Sequence, residues 1–173
     1  MKEDALWYEA ASVVGVTNAL NVVADGLSAD VLPPVADADA GPEARAVLDG
    51  IRRFYGEVPA PFLTLARDPG YLADLWGAAR QAFDDHRLAR RLKEALAFAV
   101  SLTSRSRFGT AFHLGQMRRL GVGEAGVMEI VGVTQMFSSY TKIADTLQLE
   151  SDMGHIAPAD PTPAPGGAPG ASR

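Results

Sequence analysis

The sequence predicts an all-α fold. Three observations carry that expectation. Apolar residues recur at spacings of three and four along most of the chain. No segment alternates with the period of two expected of a half-buried strand. Prolines cluster between the periodic segments and punctuate them.

The first helix is predicted over 6–27, with Leu6, Ala10, Val13, Val14, Leu20, Ala24 and Leu27 at helical spacing. SADVLPPVADADAGPE then reads as a linker, because two prolines, a glycine and small acidic residues cannot sustain a helix. A second helix is expected over 42–55. GEVPAPF is a turn, since Pro59 and Pro61 lack the amide that regular pairing needs. A short helix over 62–66 ends at RDPG, and another follows over 71–83. Asp84 and Asp85 are placed to cap a helix over 86–103 with a stripe of Leu88, Leu92, Ala95, Leu96, Ala99 and Leu102. The next helix starts near Arg107 and stops at RRLG, where two arginines suit the carbonyl end and a glycine ends it. GVGE leads into a last long helix to Leu147, with Val127, Ile130, Val131, Thr134, Phe137, Ala144 and Leu147 on one side. APADPTPAPGGAPGASR, from Ala157, has the composition of a disordered tail. The expected organisation is therefore an N-terminal helix (1–28), a linker (29–42), a core domain (43–156) and a tail (157–173).

The first and last helices resemble each other. VVGVTNALNVVADGL (13–27) and IVGVTQMFSSYTKIADTL (130–147) share VGVT and a terminal A-D-x-L, with three residues of gap between the two matches. The first helix then reads as the remnant of a duplicated unit or as a truncated gene start.

Composition narrows the function classes. A hydrophobic content of 47% supports a core, and a net charge of −5 argues against nucleic acid as a partner. There is no cysteine, so disulfides, thiolate catalysis and zinc–thiolate sites are excluded. Three scattered histidines give no zinc signature, and no metal or cofactor is expected. The start MKEDALWYEA is acidic and unlike a signal peptide, and no apolar run reaches the ~18 residues of a membrane span. The expectation is a cytoplasmic protein without a membrane partner. HRLARRLK (86–93) reads as a solvated helix face. Trp7 and Tyr8 suit core packing or an interface anchor.

Three stretches, in order, carry a family resemblance: PAPFLTLARDPGYLADLWGAARQAF, EALAFAVSLTSRSRFGTAFH and MRRLGVGEAGVMEIVGVTQ, followed by A-D-x-L. The span 44–152 resembles the carboxymuconolactone decarboxylase and AhpD-like alkylhydroperoxidase superfamily. The resemblance implies an AhpD-like helical bundle, here with an additional N-terminal helix, assembled into homo-oligomers through helix–helix contacts. The peroxidase branch carries Cys-x-x-Cys-x-x-x-His at a helix start and a relay glutamate upstream. By that match Glu94 stands for the glutamate, Ser106 and Gly109 for the two cysteines, and His113 for the histidine. A serine hydroxyl forms neither a sulfenic acid nor a disulfide, so the residues exclude peroxiredoxin-type activity for this chain alone.

What remains is Glu94 with His113, either a retained acid–base pair or a polar pair kept for structure. Ser106 is a poor serine nucleophile, because seven residues put His113 about 10 Å of helix rise away. Arg105 and Arg107 flank the helix start, where they could hold a small acidic ligand against the helix dipole or simply point into solvent. Three functions follow as expectations: a structural or ligand-binding protein without redox activity, a decarboxylase or lactone-handling enzyme using Glu94 and His113, or a subunit dependent on a redox partner protein in peroxide detoxification.

Overall fold

A computed structural model describes residues 2–27 and 31–149, apart from the side chains of residues 2 and 3. The tail at 157–173, the end of the predicted core domain, residues 28–30 of the predicted helix–linker junction and His155 lie outside the described residues. Among the described residues there are seven α-helices and no strand: α1 (Lys2–Gly26), α2 (Pro42–Tyr55), α3 (Ala60–Leu65), α4 (Pro69–Phe83), α5 (Arg90–Ser104), α6 (Arg107–Arg119) and α7 (Glu124–Leu147). A single 3-10 turn at Asp37–Asp39 interrupts the linker.

The helix ends follow from local chemistry. Pro42 and Pro69 open α2 and α4 at a position where a missing amide costs nothing. The Asp68 carboxylate accepts from the Tyr71 amide at 3.0 Å and caps α4. Gly56 closes α2 at φ 85°, the left-handed conformation that glycine adopts freely. Arg105 closes α5 in the same region at φ 60°, a conformation few non-glycine residues take. That turn reverses the chain within two residues and delivers Ser106 as the cap of α6.

Three expectations about α5 are corrected. The helix begins at Arg90 instead of His86, because residues 84–89 form a loop whose amides are held elsewhere. The Arg87 and Leu88 amides donate to the Glu9 carboxylate of α1 at 3.0 and 3.2 Å. The Arg90 amide donates to Asp85. HRLARRLK is not a solvated helix face either: Leu88 is buried and Lys93 fully so. The predicted stripe of Leu92, Ala95, Leu96, Ala99 and Leu102 is only half-buried or exposed. The buried face of α5 is instead Lys93, Glu94, Ala97, Phe98 and Ser101.

The core has two adjoining parts. The larger joins α2, α3 and α4 around Leu48, Ile51, Tyr55, Phe62 and Leu72, with Trp76 against it. The smaller is Val13, Ala82, Phe83 and Ala97. α1 contributes to both and packs on α5 along its length, with further contacts to α4, α6 and α3. Its buried face is Glu9, Val13, Thr17, Leu20, Asn21 and Val23, so three of six buried residues are polar. Trp7 and Tyr8 are exposed, against the expectation of core packing, because they lie off that face.

Two of the three polar residues are satisfied. Glu9 forms an ion pair with Lys93 Nζ at 2.5 Å, and Asn21 donates to Ser101 and Ser104. Thr17 is the exception: its hydroxyl is buried without a hydrogen-bond partner. Such a group carries its desolvation cost with no return bond. Thr17→Val is therefore expected to stabilise the chain by about 1 kcal/mol and to raise Tm by roughly 2–4 °C. Thermal unfolding by circular dichroism checks this, and a lowered Tm would mean that the hydroxyl is bonded.

Candidate functional site

The site is built where α5 meets α6. Glu94 lies on the second turn of α5 and His113 on the second turn of α6. Both are buried, and Glu94 Oε2 is 2.8 Å from His113 Nδ1. The other carboxylate oxygen accepts from Arg90 Nε at 2.9 Å, one helical turn earlier on α5. A charge buried this deeply needs such partners.

Aromatic rings enclose the trio. The Arg90 guanidinium lies 3.8 Å from the centre of the Phe54 ring and 5.2 Å from that of Tyr55. His113 stacks on Phe83 at 5.7 Å and meets the edge of Phe112 at 5.1 Å. Burial pushes the Tyr55 phenol well above its ordinary range, the Glu94 charge adds to the effect, and Arg90 opposes it. Tyr55 therefore stays neutral at any physiological pH. The pair can in principle pass a proton, since Glu94 fixes the ring through Nδ1 and leaves Nε2 for another partner.

Ser106 and Gly109 begin α6. Ser106 Oγ accepts from the Gly109 amide at 3.1 Å and donates to Asp25 of α1 at 3.3 Å, so it acts as a cap. Gly109 is packed tightly. A Cβ built there would overlap Asn21 Oδ1 and lie 2.5 Å from Ser101 Oγ. Asn21 is held in that place by bonds of 3.1 Å to both Ser101 and Ser104, and Ser101 donates in turn to the Ala97 carbonyl at 2.8 Å.

A cavity of about 10 Å³ remains between Asn21, Tyr55, Phe108, Gly109, Phe112 and His113. That is room for about one water. Arg105 and Arg107, proposed from sequence as anion ligands, are exposed, and the hydrogen bonds of the Glu94–His113 pair do not include them. No group of three or more histidine and acidic side chains suited to a metal occurs among the described residues. No described helix is long and apolar enough to cross a membrane.

No protein-family model and no curated protein matches the sequence. Structure is more informative. The crystal structure of the alkylhydroperoxidase AhpD core from Rhodospirillum rubrum superposes with a TM-score of 0.67 at 23% identity, over 70% of this chain and 93% of that one. The fold is AhpD-like. Within this AhpD-like fold the chain has no thiol anywhere.

Sequence reasoning placed Glu94 opposite His113 but missed Arg90, Asn21 and Tyr55. Asn21 did leave a signal. It stands four residues after Thr17 and one after Leu20, a polar side chain on the apolar face of a helix. Such a residue is buried only where a hydrogen-bond partner waits for it. Arg90 left a weaker one, the i,i+4 spacing to Glu94.

Proposed function

We propose that this chain is an AhpD-like protein without redox activity, whose former site region has become part of the structural core. The observation that carries this reading is the Asn21 side chain. It fills the space that any side chain at position 109 would need, and it comes from α1, a helix the chain has locked onto α5 and α6. The Arg90–Glu94–His113 network then serves as a buried, hydrogen-bonded polar centre that fixes how α5 sits against α6. Support also comes from the lack of cysteine, which removes the nucleophile and the resolving group of a dithiol mechanism.

A second reading has one observation in its favour. The Glu94–His113 pair keeps the 2.8 Å geometry that acid–base catalysis uses, as a decarboxylase or lactone-handling enzyme would require. Against it, a cavity for one water admits no substrate unless α1 moves away. Partner-dependent peroxide chemistry has no such geometric support.

Two measurements separate these readings. Dithiol-dependent reduction of cumene hydroperoxide by the purified chain is expected to equal the buffer rate, and turnover above it overturns the proposal. Native mass spectrometry of gently purified protein is expected to show no retained small molecule. A bound acidic metabolite, together with turnover of a carboxylated lactone, would transfer the conclusion to the enzyme reading.

A further inference from the structure

HRLARRLK (86–93) divides its cations between two sides of the chain. Arg90 and Lys93 turn inward, to Glu94 and Glu9. Arg87 and Arg91 are exposed, and neither guanidinium has a hydrogen-bond or ion-pair partner among the described residues. Both border one groove, which runs between the start of α5 and the start of α7 and encloses about 620 Å³. That volume lies in the range of small-molecule sites. None of the groove residues belongs to the Arg90–Glu94–His113 network.

The rest of the groove is mostly apolar. Leu88, Leu92, Ala95, Val122 and Ile130 line it, and Leu92 is left 48% exposed. On the α7 side stand Gly123 and Gly126, and a Cβ at Gly123 would meet nothing within 4 Å. α7 forms this wall with its first half. Of its predicted stripe, Val127, Ile130, Val131 and Thr134 are half-buried, whereas Phe137 and Leu147, in the second half, are exposed.

The loop that carries Arg87 is held in place. The Arg87 and Leu88 amides donate to the Glu9 carboxylate at 3.0 and 3.2 Å, and Lys93 Nζ reaches both that carboxylate and the Asp84 carbonyl at 2.5 Å. A buried ion pair brings little net stability over a well-packed apolar pair. What this one secures is the position of the loop, and a charge already in position costs less to engage a ligand. We propose that the groove binds a straight-chain alkyl monocarboxylate, its carboxylate at Arg87 and Arg91 and its chain along Leu88, Leu92, Val122 and Ile130.

Charge selects the head group. Two unpaired guanidinium groups beside an apolar trough match one carboxylate, which such groups bind through paired N–H donors. Charge also selects against a second acid. Glu129 lines the groove from α7, has no partner among the described residues, and repels a carboxylate at the far end of the chain. Size sets the chain length: Gly123 to Ile130 is about 10 Å of helix rise, which a chain of about eight to ten carbons spans. An open groove releases its ligand quickly, so the site fills while ligand is supplied and empties during purification. The inference goes beyond the reading of the Glu94–His113 region and does not depend on it.

Titration of the full chain with decanoate, followed by amide shifts in nuclear magnetic resonance, tests the proposal. Shifts are expected to centre on residues 87–95 and 122–130 and to saturate below about 1 mM. Arg87→Gln/Arg91→Gln is expected to weaken binding about tenfold or more while keeping the helical circular dichroism, since both side chains are exposed. On the wild type, decanol is expected to bind more weakly than decanoate, and so is decanedioate, with Glu129→Gln removing the penalty on the diacid. No saturation, or shifts centred elsewhere, overturns the proposal. So does decanoate binding that survives the double substitution, or decanol binding as tightly as decanoate, which would leave the arginines without a role. Binding to phosphatidylglycerol vesicles without binding of free decanoate overturns it as well and makes the arginines a membrane contact. The comparison of decanoate with decanol stands on the wild type alone, so it decides the matter even if the arginine variant misfolds.

Discussion

Glu9→Ala is expected to destabilise the protein by about 3–5 kcal/mol. Lys93 is fully buried, and its ammonium has two partners, the Glu9 carboxylate and the Asp84 carbonyl, each at 2.5 Å. Removing Glu9 leaves a buried charge with one neutral acceptor. It also strips the Arg87 and Leu88 amides of their acceptor, which loosens the loop that starts α5. Urea unfolding reads the loss. The pairing itself is then isolated by Glu9→Gln/Lys93→Met, which removes both charges but keeps an acceptor near the amides. That double variant is expected to recover at least half of the loss, since two buried partners removed together leave no charge unpaired. Equal losses in the single and double variants would place the effect in the loop amides and not in the ion pair.

The same carboxylate gives the protein an acid-side sensitivity. Burial alone raises a carboxyl, but at Glu9 the Lys93 hydrogen bond and the two amides outweigh it, and the net position lies below the ordinary 4.5. A carboxyl depressed by folding stabilises the folded state above its unfolded value. That contribution disappears as pH falls through the folded value. Wild-type stability should thus fall below about pH 4.5, and Glu9→Gln should flatten that part of the curve. Equal slopes in both chains would show that Glu9 is not depressed in solution.

The places where sequence reasoning succeeded and failed have physical causes. α2 and α6 have the predicted ends because Pro42, Gly56 and the Arg118–Arg119–Leu120–Gly121 stop are local signals. The start of α5 was not legible, because its loop is held by Glu9, almost eighty residues earlier in the chain. Lys93 was mistaken for surface for the same reason: a charged residue is read as solvated unless its distant partner is known. The α7 stripe was legible as apolar but not as uncovered, since periodicity tells which side of a helix is apolar and not what lies against it. Glu94 and His113 were paired by family resemblance alone. The role of α1 in the same place was invisible, because the linker made it look like an appendage.

That role makes a stringent prediction. Ser106→Cys/Gly109→Cys creates a Cys-x-x-Cys spacing at the start of α6, a place where a helix N-terminus favours a thiolate. It is nonetheless expected to yield no hydroperoxide reduction. The side chain at 109 has to enter the volume of Asn21 and approach Ser101, so the chain either distorts or pushes α1 outward, at a cost of about 1–3 kcal/mol.

The triple variant Asn21→Gly/Ser106→Cys/Gly109→Cys removes the obstruction. Its expected behaviour is recovered stability relative to the double variant and measurable turnover: two thiols and one hydroperoxide give a disulfide, an alcohol and water, with an external dithiol restoring the thiols. His113, held by Glu94, is the group positioned to move the proton. Dithiol-coupled peroxide consumption distinguishes the outcomes. If the double variant is already active and as stable as the wild type, Asn21 does not close the site and α1 has no part in silencing it. If the triple variant is stable, accessible to thiol reagents and still inactive, the Arg90–Glu94–His113 network has lost its catalytic geometry as well, and structure is all it now provides.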